Sequence, residues 1–226
     1  MKISIITLFP QMFKGAFDFS IVKRAIDNKL IEISFLNIRD FGIGKHKLVD
    51  DTPYGGGNGM VLRVDVLEKA ISSAKIKKLS NKEQKVVMLS AHGKKFDQKK
   101  AREYSKLKNL ILVCGHYEGF DERIKNFIDE EISVGDFVIT GGEIPAMLIT
   151  DSVARLVEGV IKKDSSEFES FSPYLEHPHY TKPQVYKKLK VPEILLSGNH
   201  KEINSWREKQ SILVTSKLRP DLLKKS

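Results

Sequence analysis

Short apolar runs recur along the first 160 positions of the chain, each bounded by polar or glycine-bearing segments. "KISIITLF" (2–9), "IEISFLNI" (31–38), "KVVMLSA" (85–91), "NLILVCG" (109–115) and "FVIT" (137–140) have the length and β-branched content of buried strands. Between them, "FSIVKRAIDNKL" (19–30), "VDVLEKAISSAKIKK" (64–78), "FDQKKAREYSKL" (96–107) and "FDERIKNFIDEE" (120–131) carry helical patterns. This alternation, from residue 2 to about residue 159, predicts an α/β domain on a mostly parallel sheet. "EIPAMLITDSVARLVEGV" (143–160) is apolar over most of its turns, which predicts a helix buried on more than one side, as at an interface.

The pattern stops there. "IKKDSSEFESFSPYLEHPHYTKPQ" (161–184) lacks periodicity and carries Asp, Ser and Pro, the composition of a linker or mobile loop. "VPEILLSGNHKEINSWREKQSILVTSKLRPDLL" (191–223) is mostly helical, with Asn199 placed to cap a helix and Glu202 three positions on as a partial capping box. No internal repeat is present. The expected organisation is an α/β domain over 1–160, a linker over 161–182 and a basic helical domain over 183–226.

Composition adds limits. At 226 residues, with 41% hydrophobic and 30% charged residues, the chain suits one large soluble domain, or one domain with a small satellite. The first apolar run is too short for a membrane span and is followed by no small-residue cleavage site, so a cytoplasmic protein without membrane association is expected. The single cysteine, Cys114, can form neither an internal disulfide nor a four-cysteine zinc site. Charge is uneven: residues 176–226 hold eleven Lys/Arg against five Asp/Glu, a net +6 of the chain's +9. Such a tail fits either a solvated helical surface or a polyanion-binding lobe.

The glycines carry candidate chemistry. In "DTPYGGGNGM" (51–60) no Lys-Ser/Thr follows the glycine run, so the usual phosphate loop is excluded. The first strand runs into Phe9-Pro10 without glycine, which excludes the dinucleotide fingerprint. "CGHYEGFDER" (114–123) and "SVGDFVITGGEIPA" (133–146) each place glycines at the C-terminal end of an expected strand, the edge where open α/β sheets bind ligands. Three glycine loops meeting there predict a small-molecule pocket lined by backbone groups. His46, Asp50 and Asp51 lack a second histidine at ligand spacing, and His177 and His179 in a basic linker suit RNA contact better than metal.

"LFPQMF", "VDDTPYGGGNGM", "CGHYEGFDER", "SVGDFVITGGEIPAMLITDSVARL", "HPHYTKP" and "LLSGNHKEINSWR" resemble, in order, the motifs of the bacterial tRNA guanine-N1 methyltransferases of the SPOUT superfamily. The resemblance runs from about residue 3 to residue 222. It implies a parallel sheet tied in a deep trefoil knot, plus a small C-terminal helical domain, and an obligate homodimer whose sites are completed by both chains. It also implies S-adenosylmethionine-dependent methylation of the guanosine at tRNA position 37, 3′ of the anticodon. The nearest competitor is another SPOUT methyltransferase acting on a different RNA or nucleotide.

Carried over by motif, donor contacts fall on Ser90, Gly115, Tyr117, Glu118, Val134, Gly135, Asp136, Phe137, Val138, Ile139, Gly141, Gly142 and Pro145. The tRNA side falls on His46, Asp50, Gly55, Gly56, Gly57, Gly59, Lys182, Ser197, Asn199 and His200. Guanine N1 is protonated at neutral pH, so the reaction needs a base for that proton and a cation for charge developing on O6. The resemblance assigns these roles to Glu169, where the family often has aspartate, and to Arg155. A benefit from Mg2+ belongs to the same family picture, but the sequence shows no closed ligand set for it.

Overall fold

Ile3, Ile5 and Ile6 of the first apolar run are fully buried, and the run forms the second strand across a five-stranded parallel sheet. In the computed structural model, which describes residues 1–161 and 169–225, the strands of this region are β1 (Lys2–Thr7), β2 (Glu32–Asn37), the short pair β3 (Asp50–Asp51) and β4 (Val61–Leu62), β5 (Gln84–Lys95), β6 (Asn109–Cys114) and β7 (Glu130–Ser133). The sheet order is β2-β1-β6-β5-β7. Its helices are α1 (Ser20–Asp27), α2 (Val64–Ala74), α3 (Gln98–Tyr104) and α4 (Glu143–Ala154).

Both faces of the sheet are covered, which explains why its central strands read as unbroken apolar runs. Leu110 and Leu112 of β6 pack with Val22, Tyr104, Ile149 and Val153 of α1, α3 and α4. Ile111 and Val113, on the opposite face, pack with Val66, Leu67, Ala70 and Ile71 of α2. Buried Gln84 is paired, donating to the carbonyls of Ile76 and Leu79 at 3.1 and 3.0 Å, whereas the buried Asn109 Oδ1 and Thr150 Oγ1 have no hydrogen-bond partner among the described residues.

Two expectations are corrected. "FVIT" is no strand: Val138 is 95% exposed and the run crosses a loop between Gly135 and Gly141. A four-residue apolar run looks the same whether it faces a core or a cavity. "FDERIKNFIDEE" is no helix either. Only Glu122–Asn126 turns, as a 3-10 segment, and the acidic end becomes β7. That edge strand tolerates its acids because they are paired. Glu130 binds Lys85 and, at 3.0 Å, Lys100, and it accepts from the Tyr104 hydroxyl at 2.9 Å. Asp129 accepts from the Val86 N–H at 2.7 Å. α4 also ends earlier than its apolar pattern, at Ala154.

The chain divides into two compact units, Met1–Ile161 and Lys162–Ser226. Residues 162–168 of the expected linker lie outside the described residues. The second unit contains the hairpin β8 (Val185–Tyr186) and β9 (Leu189–Lys190), and helix α5 (His200–Leu218). Asn199 caps α5, its side chain accepting from the Glu202 N–H at 3.4 Å. Buried Thr215 of α5 accepts from the Leu175 N–H at 2.9 Å, and Ser211 donates to the Leu175 carbonyl, so the segment before the hairpin is fastened to the helix. Among the described residues no helix is long and apolar enough to cross a membrane.

Candidate functional site

The site begins where β5 departs from β7. Leu89 and Lys94 both pair with Ile132, so residues 90–93 bulge out of the ladder around one residue of the neighbouring strand. Gly93 makes this approach feasible, since a Cβ there would lie 2.4 Å from the Ile132 backbone. The bulge, the loop after β6 and the loop after β7 all leave the C-terminal edge of the sheet, where they enclose a cavity of about 350 Å³. That volume is in the range of small-molecule sites.

The walls need glycine. The Gly142 N–H donates to the Gly115 carbonyl at 2.8 Å, closing the loop after β7 onto the loop after β6. A Cβ on Gly142 would meet the Cys114 Cα at 2.6 Å, so no larger residue fits this contact. Behind the wall lies Glu143, only 2% exposed, in the first turn of α4. Its Oε1 accepts from the Thr7 hydroxyl at 2.7 Å, while the Thr7 oxygen accepts from the Phe9 N–H at 2.9 Å. A carboxylate is favoured at a helix N-terminus, and here it also links α4 to the end of β1. Burial, with Glu143 nearby, holds the Cys114 thiol well above its usual range, so Cys114 is an inert packing group.

Twelve of the donor-contact residues expected from the motifs line this one cavity: Ser90, Gly115, Tyr117, Glu118, Val134, Gly135, Phe137, Val138, Ile139, Gly141, Gly142 and Pro145. The thirteenth, Asp136, points elsewhere and pairs with Lys95 at 2.6 Å. Ser90 accepts from the His92 N–H at 3.1 Å, which shapes the bulge. Further lining residues include His92, His116, Phe120, Lys125 and Glu131. His116 was legible in "CGHYEGFDER"; Lys125 and Glu131 were hidden by the mistaken helix. His116 Nδ1 accepts from the Tyr117 N–H at 3.0 Å, so in the neutral ring the proton sits on Nε2. Phe9 packs on the same ring, with centroids 5.0 Å apart.

The glycine-rich loop flanks this cavity. The Glu118 N–H donates to the Met60 carbonyl at 3.1 Å and the Leu62 N–H to the Gly119 carbonyl at 3.0 Å. Gly59, at φ +82°, lies so close to Glu118 that a Cβ would meet its Cγ at 2.4 Å. Gly55, Gly56 and Gly57 also have positive φ, and no neighbour lies within 4 Å of where a Cβ on Gly55 or Gly56 would stand. Tyr117 adopts φ +58° without being glycine, the kind of strain that marks functional loops. Burial and the adjacent Asp50 carboxylate raise its phenol pKa. Asp50 thus stands beside the cavity loop, whereas His46 is exposed in the turn closed by Ile43 and Leu48.

The remaining candidates are divided between the units. Arg155 follows the last residue of α4 in the first unit. Glu169, half-buried, belongs to the second. Also in the second unit, Ser197 accepts from the Asn199 N–H at 3.1 Å, ahead of His200 at the start of α5, while Lys182 is exposed before the hairpin. The His177 and His179 rings meet at a tilt of 48° with centroids 4.5 Å apart, and His179 Nε2 lies 2.9 Å from Glu176. Among the described residues, no group of three or more His, Cys, Asp or Glu could hold a metal ion.

Residues 1–225 match the family model described as tRNA (Guanine-1)-methyltransferase TrmD. A tRNA (guanine-N(1)-)-methyltransferase of Dictyoglomus turgidum is 52% identical over 228 residues, covering 100% of this chain and 91% of the relative. The enzyme of the same name from Carboxydothermus hydrogenoformans is 53% identical, over 99% of this chain and 88% of its own. That of Metamycoplasma arthritidis is 52% identical, over 100% of this chain and 96% of its own. With the cavity, the glycine loops and a match along nearly the whole length, the chain belongs to the tRNA (guanine-1)-methyltransferase TrmD family.

Proposed function

We infer that this protein transfers a methyl group from S-adenosylmethionine to N1 of the guanosine at tRNA position 37, 3′ of the anticodon. Methylation of guanine N1 in tRNA follows from family membership. The donor and the position rest on the motifs and the cavity. The observation that carries the reading is the gathering of Ser90, Tyr117, Glu118, the 134–139 stretch and Gly141–Gly142 around one cavity, all but Asp136 of the expected donor contacts.

The cavity's chemistry fits such a donor. Phe137, Val138, Ile139 and Pro145 offer apolar surface for an adenine ring, and the glycine walls expose backbone groups to polar parts. Bound there, S-adenosylmethionine supplies a methyl group on a sulfonium, already activated for attack by nitrogen. The protein's own task is proton and charge management. Glu169 takes the N1 proton, which frees the lone pair, and Arg155 balances the negative charge that develops on O6. The loop over 51–60 presents the target guanine beside the cavity, and the basic second unit holds the tRNA backbone.

The reading extends to assembly. Ile144 and Leu148 of α4 are 56% and 46% exposed, an apolar stripe that supports a homodimer in which each site draws on both chains. A knotted chain belongs to the same reading and rests on the motif resemblance alone. The enzyme works in the cytoplasm, where its tRNA substrate is. Calorimetry tests the donor: S-adenosylmethionine is expected to bind with one site per chain or one per dimer, and NAD and ATP not at all. Binding of NAD or ATP in its place would overturn the reading of the cavity.

A further inference from the structure

The β8–β9 hairpin has a tip that turn chemistry alone does not explain. Val185 pairs with Lys190 and Tyr186 with Leu189, leaving Lys187 and Lys188 as a two-residue connection. Both lysines have positive φ, +46° and +68°. A two-residue hairpin loop with both residues left-handed favours Asn-Gly, because the small or locally hydrogen-bonding residue avoids the Cβ clash. Lysine has no such relief, so its presence at both positions points to a role for charge.

The surroundings agree. Lys182, Lys187, Lys188 and Lys190 fall in a stretch, His177 to Pro192, that holds no acidic residue. Val185, Tyr186 and Leu189 are 51%, 58% and 73% exposed, so the strands do not pack their side chains into a core. The Lys187 ammonium lies 5.4 Å from the centre of the Tyr186 ring, which steadies it beside an exposed aromatic face.

We propose that the β8–β9 hairpin is a backbone clamp for tRNA, with Lys187 and Lys188 neutralising phosphates of the substrate outside the target nucleotide. It is a sequence-independent contact: it fixes the register of the RNA and carries no base recognition. The proposal rests on tRNA as the substrate.

The test uses the full-length protein carrying Lys187→Asn and Lys188→Gly together. These residues suit the turn better than lysine, so the hairpin keeps its fold and the thermal midpoint does not fall. Filter binding of an unmodified tRNA transcript is expected to show Kd raised roughly tenfold near physiological salt. The slope of log Kd against log salt is expected to flatten by about one to two. A control pair, Lys77→Asn with Lys78→Asn, removes the same charge from the first unit and is expected to leave Kd and slope within about twofold and about 0.3 of wild type. Unchanged Kd and slope in the hairpin variant would overturn the clamp, as would an equal loss in the control. Methylation of the same transcript by the wild type is scored separately, so failure of the enzymatic reading remains distinguishable from failure of the clamp.

Discussion

Glu169 carries the heaviest chemical load of any single residue in the proposed reaction. Its replacement by glutamine keeps size and polarity and removes proton affinity, so it isolates the one property the reaction needs. In single-turnover methylation with donor and tRNA both saturating, Glu169→Gln is expected to slow the chemical step by roughly 10²–10⁴-fold, the usual worth of a general base. Donor binding and thermal stability are expected to stay near wild type. Near-normal turnover would remove Glu169 from the role and turn attention to Asp50, which stands beside Tyr117 at the cavity. Glu143 plays a different part: buried and bonded to Thr7, it braces the wall that Gly141 and Gly142 form and does not line the cavity.

Among the elements, β7 and α3 show how the sheet edge is held. Glu103 of α3 pairs with Lys85 and Lys100, each at 2.7 Å, and these lysines hold its carboxyl at about 2. Its folded pKa is therefore depressed below the 4.5 of a free glutamate. The contribution of this ionised carboxylate to stability is therefore complete above about pH 4.5 and is lost as pH falls from there toward about 2. Glu103→Gln is expected to flatten the acid limb of the thermal midpoint against pH in that window, with little change at pH 7 beyond a surface ion pair's worth, about 1 kcal/mol or less. An unaltered acid limb would deny the network this role. The same edge marks the limit of sequence reading. β1, β5 and β6 were legible because burial on both faces favours apolar runs, and the edge strand β2, half-buried at most, was legible from Ile33, Phe35 and Leu36. β7 was not, because its Glu130 is satisfied by Lys85 and Lys100, partners distant in sequence, and its Glu131 by Lys125 across a 3-10 turn that the helical pattern concealed. "FVIT" misled for the opposite reason: its apolar side chains serve a cavity instead of a core. Most of the cavity lining was legible residue by residue through the motifs, while His92, Lys125 and Glu131 depend on how the three loops meet.

At the scale of the whole molecule, an α/β unit with a cavity at its sheet edge is joined in sequence to a basic unit built on α5 and a lysine-tipped hairpin. The proposed division of labour rests on chemistry: a small donor needs a walled cavity, and a long polyanion needs spread positive charge. The proposed reaction is methyl transfer from S-adenosylmethionine to N1 of guanosine 37. The most direct measurement is nuclease mapping by mass spectrometry of bulk unmodified tRNA after reaction with donor carrying a trideuterated methyl group. Label is expected in N1-methylguanosine, in the fragment 3′ of the anticodon, and in no other nucleotide. Label on a ribose, at another guanosine or only in ribosomal RNA would contradict it.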